Sequence, residues 1–391
     1  MFALFIRLLE SDSGYITLSI DYIIWDFTKK CNLNCSYCYT GAQAKSDSDE
    51  LTVQQMKDEV LPQFADVKLR GLCLAGGEPL LRFEDILAIG NDLIDIGLKE
   101  LLIATNGILL TRKRLKTLLN LFQDLNLFLV GLPIDSLEEE TYNNLRSPYD
   151  TSGINPFKKV MDAYKLCKLK NLFISVETVI NSQNFHELEK IISFIGKNSP
   201  MSQAEMYPLF LSGRGAENKD LLLTPEQLRQ FDRVRINNYG DPCLFWDFAP
   251  FIPNPDFWNQ NKLKALELGI TEGCTCCTEY IQMNFDGQIL PCSFLRMDLG
   301  NILDEGLKYI WEHNETVLKF RNRTVEEGKC KDCLYSKICG GCRARAFNET
   351  GNPFGSIPSC EGSPEGHPLE EVFTKKLEQL IDKLAVLRNS G

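Results

Sequence analysis

Histidine is scarce, with 3 in 391 residues, which leaves little for imidazole metal sites or His-centred catalytic triads. Long hydrophobic runs are missing too. No apolar stretch reaches the roughly 20 residues that a membrane-spanning helix needs, so no membrane association is expected. The opening MFALFIRLLESDSGYITLSI has a short apolar patch, but Glu10 and Asp12 follow at once and no small-residue cleavage site is visible. It reads as an N-terminal extension (residues 1–20) packing on the core of a cytoplasmic protein. Positive charge is also short: 42 Lys and Arg against 53 Asp and Glu give −11, which excludes a general nucleic-acid binder.

Cysteine is abundant instead. The 15 cysteines are clumped, three near residue 35 and nine after residue 270. A large chain without an export signal is not a disulfide mini-protein, so clumping points to metal or iron–sulfur ligation in a reducing compartment. Cys73, Cys167 and Cys243 lie outside the clumps and read as buried free thiols. His186, His313 and His367 form no constellation.

From residue 21 to 215, apolar β-type runs alternate with helical patterns. Strands are expected at 22–27, 70–75, 101–105, 127–134, 172–180 and 204–211. Helical spacing recurs in VQQMKDEVLPQFADV, EDILAIGNDLIDIG, RKRLKTLLNLF, NPFKKVMDAYKLCKLK and FHELEKIISFIG. Six strand–helix repeats predict an α/β fold with a parallel sheet, for which a doubly wound sheet and a barrel both fit. In either, the site forms at the carboxyl ends of the strands. Residues 216–270 form a less regular bridging region, 271–365 a Cys- and Gly-rich domain, and 366–391 an amphipathic C-terminal helix.

Three motifs follow successive strands: CNLNCSYC at 31–38, GGEP at 76–79 and TNG at 105–107. Cys31, Cys35 and Cys38 supply three thiolates, one short of a four-coordinate metal site. An iron–sulfur cluster and a zinc ion completed by a distant ligand both remain open on spacing alone. Gly76 and Gly77 suit close backbone approach to a ligand. Farther on come Cys277-x9-Gly287-x4-Cys292, Cys330-x2-Cys333-x5-Cys339-x2-Cys342 and Cys360.

C-x3-C-x-Tyr-x-C followed by GGEP resembles the radical S-adenosylmethionine (radical SAM) superfamily, and the distal cysteines resemble its SPASM domain. The resemblance implies a partial (β/α)6 TIM barrel with a C-terminal Cys-rich domain. It also implies three 4Fe-4S clusters and SAM as cofactors. Cys31, Cys35 and Cys38 would hold the SAM cluster, whose fourth iron takes the amino and carboxylate groups of SAM. Reductive cleavage then gives a 5′-deoxyadenosyl radical that abstracts substrate hydrogen.

Carried across residue by residue, Tyr37, Gly76, Gly77 and Glu78 would contact SAM. So would Asp135 and Arg146, from a segment similar to the family's Ser-Leu-Asp…Arg, with Pro133 in place of the serine. Auxiliary cluster I would take Cys274 (preferred to Cys276), Cys277, Cys292 and Cys342. Auxiliary cluster II would take Cys330, Cys333, Cys339 and Cys360. The last spacing is x2 where the family has x3.

The resemblance fixes reaction type better than substrate. Ser293 stands where sulfatase maturases carry an aspartate, which counts against that activity. A ribosomal peptide or protein is the expected substrate, modified by crosslinking or other oxidation. An external reductant such as flavodoxin or ferredoxin is expected as partner. Only some twenty residues precede the first strand, so any precursor-binding protein is expected to be separate. The alternative is a haem precursor, because SGRGAENKD and CGGCRARAFNETGNPFGSIPSC resemble enzymes of alternative haem and haem d1 synthesis. Arg343 and Arg345 would otherwise simply pack near the second auxiliary cluster.

Overall fold

The computed structural model describes residues 20–45, 49–150, 153–198, 202–237, 244–245, 274–333 and 340–357. Two compact units divide the chain: Ile20–Asp247 with Tyr280–Val317, and Met1–Ser19 with Phe248–Glu279 and Leu318–Gly391.

The first unit is built on a sheet. Its strands are β1 (Tyr22–Thr28), β3 (Gly71–Gly76), β4 (Glu100–Ala104), β5 (Leu127–Pro133), β7 (Phe173–Ile180), β8 (Ser202–Pro208) and β9 (Leu244–Phe245), with β10 (Tyr280–Met283) and β11 (Ile289–Leu290). Their spatial order is β11-β10-β1-β3-β4-β5-β7-β8-β9, parallel except for the β10–β11 pair. Strands β1, β3, β4, β5, β7 and β8 lie side by side in chain order. A doubly wound sheet reverses direction part-way, so this order selects the singly wound, partial-barrel alternative.

Both faces of the strands are covered, which is why they read as continuous apolar runs. On β1, Ile23, Trp25 and Phe27 are fully buried. The Trp25 ring meets Phe27 and Phe64 edge-on at 5.1 and 6.0 Å, packing this face against the helical layer. Asp26 and Thr28 alternate onto the other face.

The covering helices are Phe83–Asp95, Arg112–Leu121, Pro156–Leu169 and Leu188–Asn198. Thr111 and Asn155 cap two of them by accepting from the N–H groups of Arg114 and Lys158. The helix expected over VQQMKDEVLPQFADV is broken into Val53–Gln55, a π-turn at Met56–Val60, and Leu61–Asp66. Pro62 has no N–H to continue the i→i−4 ladder there.

Residues 280–317, read from sequence within the Cys-rich segment, belong in space to the barrel unit, because β10 extends its sheet beside β1. Their apolar positions were too few per strand to show a period. Among the described residues, no helix is long and apolar enough to cross a membrane.

Candidate active site

The carboxyl ends of the strands surround a cavity of about 130 Å³ that opens to solvent. Cys31, Cys35 and Cys38 line one wall, Gly76, Gly77, Thr105 and Asn106 another, so the three sequence motifs meet at one rim. The floor consists of small inward residues, Ala75, Ala104 and Gly131, with Pro133 and Glu177. A Cβ on Gly131 would lie 2.7 Å from Glu177 Oε1, so the missing side chain makes room for that carboxyl.

The thiol loop is closed by its own backbone. Cys31 N–H donates to Gln43 O at 2.8 Å, and Gln43 N–H to Lys29 O at 3.0 Å. Strand β2 (Leu33–Cys35) pairs antiparallel with β6 (Arg146–Pro148), setting Cys35 opposite Arg146. Donors reach the sulfurs: Leu33 N–H and Asn106 Nδ2 approach Cys31 Sγ at 3.4 and 3.9 Å, and Arg146 Nη1 approaches Cys35 Sγ at 3.8 Å. Burial pushes the Cys35 thiol up to about 11 and raises Cys31 strongly. Without a metal both are neutral thiols, and a soft metal centre would supply the charge that makes thiolates favourable.

The two glycines have a reason beyond ligand access. Gly76 has φ +101°, a conformation that L side chains rarely adopt. A Cβ on Gly77 would stand 2.0 Å from Lys30 O. The GGEP turn thus lies directly on the backbone before Cys31, and Gly77 N–H and Glu78 N–H donate to Thr28 O and Lys30 O at 2.7 and 2.8 Å.

Glu78 is fully buried. Its carboxylate accepts from Leu80 N–H (3.0 Å), Thr105 Oγ1 (2.7 Å) and Asn106 N–H (2.8 Å), tying the GGEP turn to the TNG loop. Asp135 is also fully buried, and is neither cavity lining nor a helix cap. It accepts from Tyr37 Oη at 2.6 Å, from Val179 N–H at 2.8 Å and from Arg146 Nε in an ion pair. Tyr37 and Arg146 do line the cavity, with the guanidinium 5.4 Å from the Tyr37 ring centroid. Asp135 therefore fixes two cavity groups without facing the cavity itself.

Sequence reading missed the far side of the cavity. Glu177 on β7 faces Glu205 on β8 across the register. Burial first, and Glu205 second, push Glu177 up to about 8. Tyr39, Tyr207, Phe210 and Phe294 complete this side. Phe294 stacks on Phe210 at 4.5 Å and meets Tyr207 and Tyr39 at 5.2 and 5.7 Å. The period-2 alternation of β7 and β8 carried the signal for Glu177, Glu205 and Tyr207; nothing local marks Phe294. Ser293 donates to Gln282 Oε1 at 2.8 Å and is buried.

Of the distal cysteines, Cys274, Cys276, Cys277, Cys330, Cys333 and Cys342 lie in the second unit and Cys292 in the barrel unit. The Cys274 and Cys276 side chains share a hydrogen bond, both being free thiols, and burial followed by the Cys274 thiol pushes Cys342 up to about 12. Arg343 is buried and its Nη1 donates to Pro353 O and Gly355 O, both at 3.1 Å. Cys73 and Cys167 are buried, as expected. Cys339, Cys360, Cys243 and His367 lie outside the described residues, as do most of the bridging region and the expected C-terminal helix.

Comparison with known proteins gives the same picture. The radical SAM superfamily profile matches residues 25–195, and that of SPASM, an iron–sulfur cluster-binding domain, matches 274–334. The chain is 26% identical over 354 residues to an AdoMet-dependent heme synthase of Methanosarcina barkeri, covering 86% of this chain and 95% of that one. It is 25% identical over 367 residues to a PqqA peptide cyclase of Bradyrhizobium diazoefficiens, covering 91% and 89%. Among solved structures, Streptococcus suis SuiB bound to precursor peptide SuiA aligns with TM-score 0.63 at 17% identity, covering 88% of this chain and 77% of that one. With three thiols, the GGEP turn and the barrel rim brought to one cavity, the chain carries a radical SAM domain at residues 25–195 and a match to the SPASM iron–sulfur domain at 274–334.

Proposed function

We propose that this enzyme oxidatively modifies a ribosomally made peptide or protein. The observation that supports the reading is the charge of the cavity. Its described cation, Arg146, is already neutralised by Asp135, whereas Glu177 presents a carboxyl group beside aromatic rings. Such a wall suits a neutral or cationic peptide side chain better than the propionates of a tetrapyrrole. The second reading, a haem precursor as substrate, is favoured by the heme synthase relative.

Cys31, Cys35 and Cys38 would hold a 4Fe-4S cluster, and soft thiolates with adjacent N–H donors suit one. Bound there with SAM, such a cluster would supply one electron for reductive cleavage of SAM and so the hydrogen-abstracting chemistry. The chain contributes position and exclusion of water. Tyr37 and Arg146 would meet SAM, with Asp135 holding both in place. Backbone carbonyls at Gly76 and Gly77 would accept from the SAM amino group, and Glu78 would brace that turn. Cys274, Cys277, Cys292 and Cys342 would form one auxiliary site, and Cys330, Cys333, Cys339 and Cys360 another, making three clusters. A flavodoxin or ferredoxin would deliver electrons, and a separate precursor-binding protein would present the peptide.

The test is mass spectrometry of anaerobic reactions containing SAM and reductant. One arm holds the peptide encoded beside the gene, the other an iron porphyrin with propionate side chains. A hydrogen-loss product in the peptide arm alone supports the proposal. Decarboxylated porphyrin without a changed peptide overturns it.

A further inference from the structure

The segment Ser212–Asn218 (SGRGAEN) follows β8, and the cavity does not require it as lining. Its contacts go to the thiol loop. Ser212 Oγ donates to Tyr39 O at 3.2 Å, and Arg214 N–H to Cys38 O at 2.9 Å. Arg214 Nε donates to Cys35 O at 2.8 Å, its Nη1 to Ala42 O at 2.5 Å, and Asn218 Nδ2 to Ser36 O at 2.8 Å. Five carbonyls of the loop that carries Cys35 and Cys38 thus each accept a hydrogen bond from one seven-residue segment. Tight loops cannot pair their own carbonyls regularly, so buried ones need such partners.

The fit is close. Gly213 has φ +53°, and a Cβ there would stand 2.3 Å from Cys38 O and 2.5 Å from Tyr39 O. Arg214 also keeps one nitrogen in reserve: Nη2 is buried without a hydrogen-bond partner. Arg214 is half-buried, and a guanidinium is always charged, so its field acts on the site permanently.

We propose that Arg214 is a positioning residue for the SAM cluster, holding the thiol loop in its ligating shape and stabilising the cluster's reduced, more negative state by its fixed charge. The proposal rests on the reading that Cys31, Cys35 and Cys38 hold that cluster. Cluster potentials respond to nearby charge and to hydrogen bonding around the sulfurs. Loss of such outer partners costs metal sites about 10–100-fold in affinity.

The experiment uses the full reconstituted enzyme, with folding checked by circular dichroism. Two quantities are read: the redox titration of the electron paramagnetic resonance signal that shifts on adding SAM, and the rate of iron loss to a chelator. Arg214→Gln should lower the reduced-to-oxidised ratio at fixed potential about tenfold, equal to about 59 mV for one electron. It should also speed iron loss about tenfold or more. Arg214→Lys keeps the charge but not the fork, so it should lose iron faster while titrating near wild type. Asn218→Ala, which removes neutral contacts to Ser36 O and Arg214 O, should leave the potential in place.

Arg214→Gln with wild-type titration and iron retention would overturn the proposal. So would Arg214→Lys titrating with wild type and losing iron no faster, a result that stays readable even if the glutamine variant does not fold. Absence of any SAM-responsive signal in the wild type, or its survival in Cys31→Ala, would instead refute the underlying cluster assignment.

Discussion

Gly77→Ala concentrates the structural argument in one methyl group. The added Cβ would lie 2.0 Å from Lys30 O and 2.6 Å from Lys30 C, both backbone atoms that no rotamer change can move. A comfortable carbon–oxygen contact is about 3.3 Å, so the two segments must separate by roughly 1.3 Å. Hydrogen bonds at 2.7 and 2.8 Å, Gly77 N–H to Thr28 O and Glu78 N–H to Lys30 O, would not survive that shift. Two such bonds at about 1 kcal/mol each, plus about 1–3 kcal/mol for overpacking, give a loss of roughly 3–5 kcal/mol. Lys30 immediately precedes Cys31, and metal ligands tolerate only about 0.2 Å. Iron retention should therefore suffer more than folding. Iron per chain after anaerobic reconstitution and denaturant unfolding are the assays. A variant that loads iron like wild type and unfolds within about 0.5 kcal/mol of it would refute the packing argument.

Gly196→Ala, in the helix Leu188–Asn198 with nothing within 4 Å of the new methyl, should instead stabilise by about 0.5–1 kcal/mol in the same unfolding assay. Asp135→Asn keeps shape but removes the anion that Tyr37, Val179 and Arg146 share, and should destabilise by about 3 kcal/mol. SAM binding by equilibrium dialysis should weaken with it, and unchanged affinity would mean that Arg146 needs no support. Glu177 has a folded pKa of about 8, raised from the ordinary carboxyl range by burial and Glu205. Its contribution is intact below about pH 4.5 and is lost as pH rises through 8. Because Glu177 borders the open cavity, screening reduces that loss to about 2 kcal/mol. Glu177→Gln should lack it, so unfolding curves at pH 5 and pH 8.5 should differ less than in wild type; parallel pH dependence in the two proteins would contradict the burial.

The barrel was legible because each of its strands is buried on both faces and each helix on one, giving two clear periods in alternation. What the sequence could not show were the supporting contacts. Asp135 and Arg146 are eleven positions apart, and only the β2–β6 pairing sets Arg146 beside Cys35. The glycines of GGEP looked like ligand-facing residues, yet their first constraint is the backbone of Thr28–Lys30. The Gly-Arg-Gly segment at 213–215 resembles tetrapyrrole enzymes in sequence, and only the structure shows that its donors go to the thiol loop. Arg343 likewise serves main-chain carbonyls. Strand β10 escaped notice because four residues are too short for a period.

We propose that the three-thiol wall of Cys31, Cys35 and Cys38 holds a cluster that cleaves SAM. Anaerobically reconstituted protein given SAM and dithionite should form 5′-deoxyadenosine, read by liquid chromatography, while Cys31→Ala should form none. No 5′-deoxyadenosine from fully loaded wild-type protein, or equal amounts from Cys31→Ala, would contradict it.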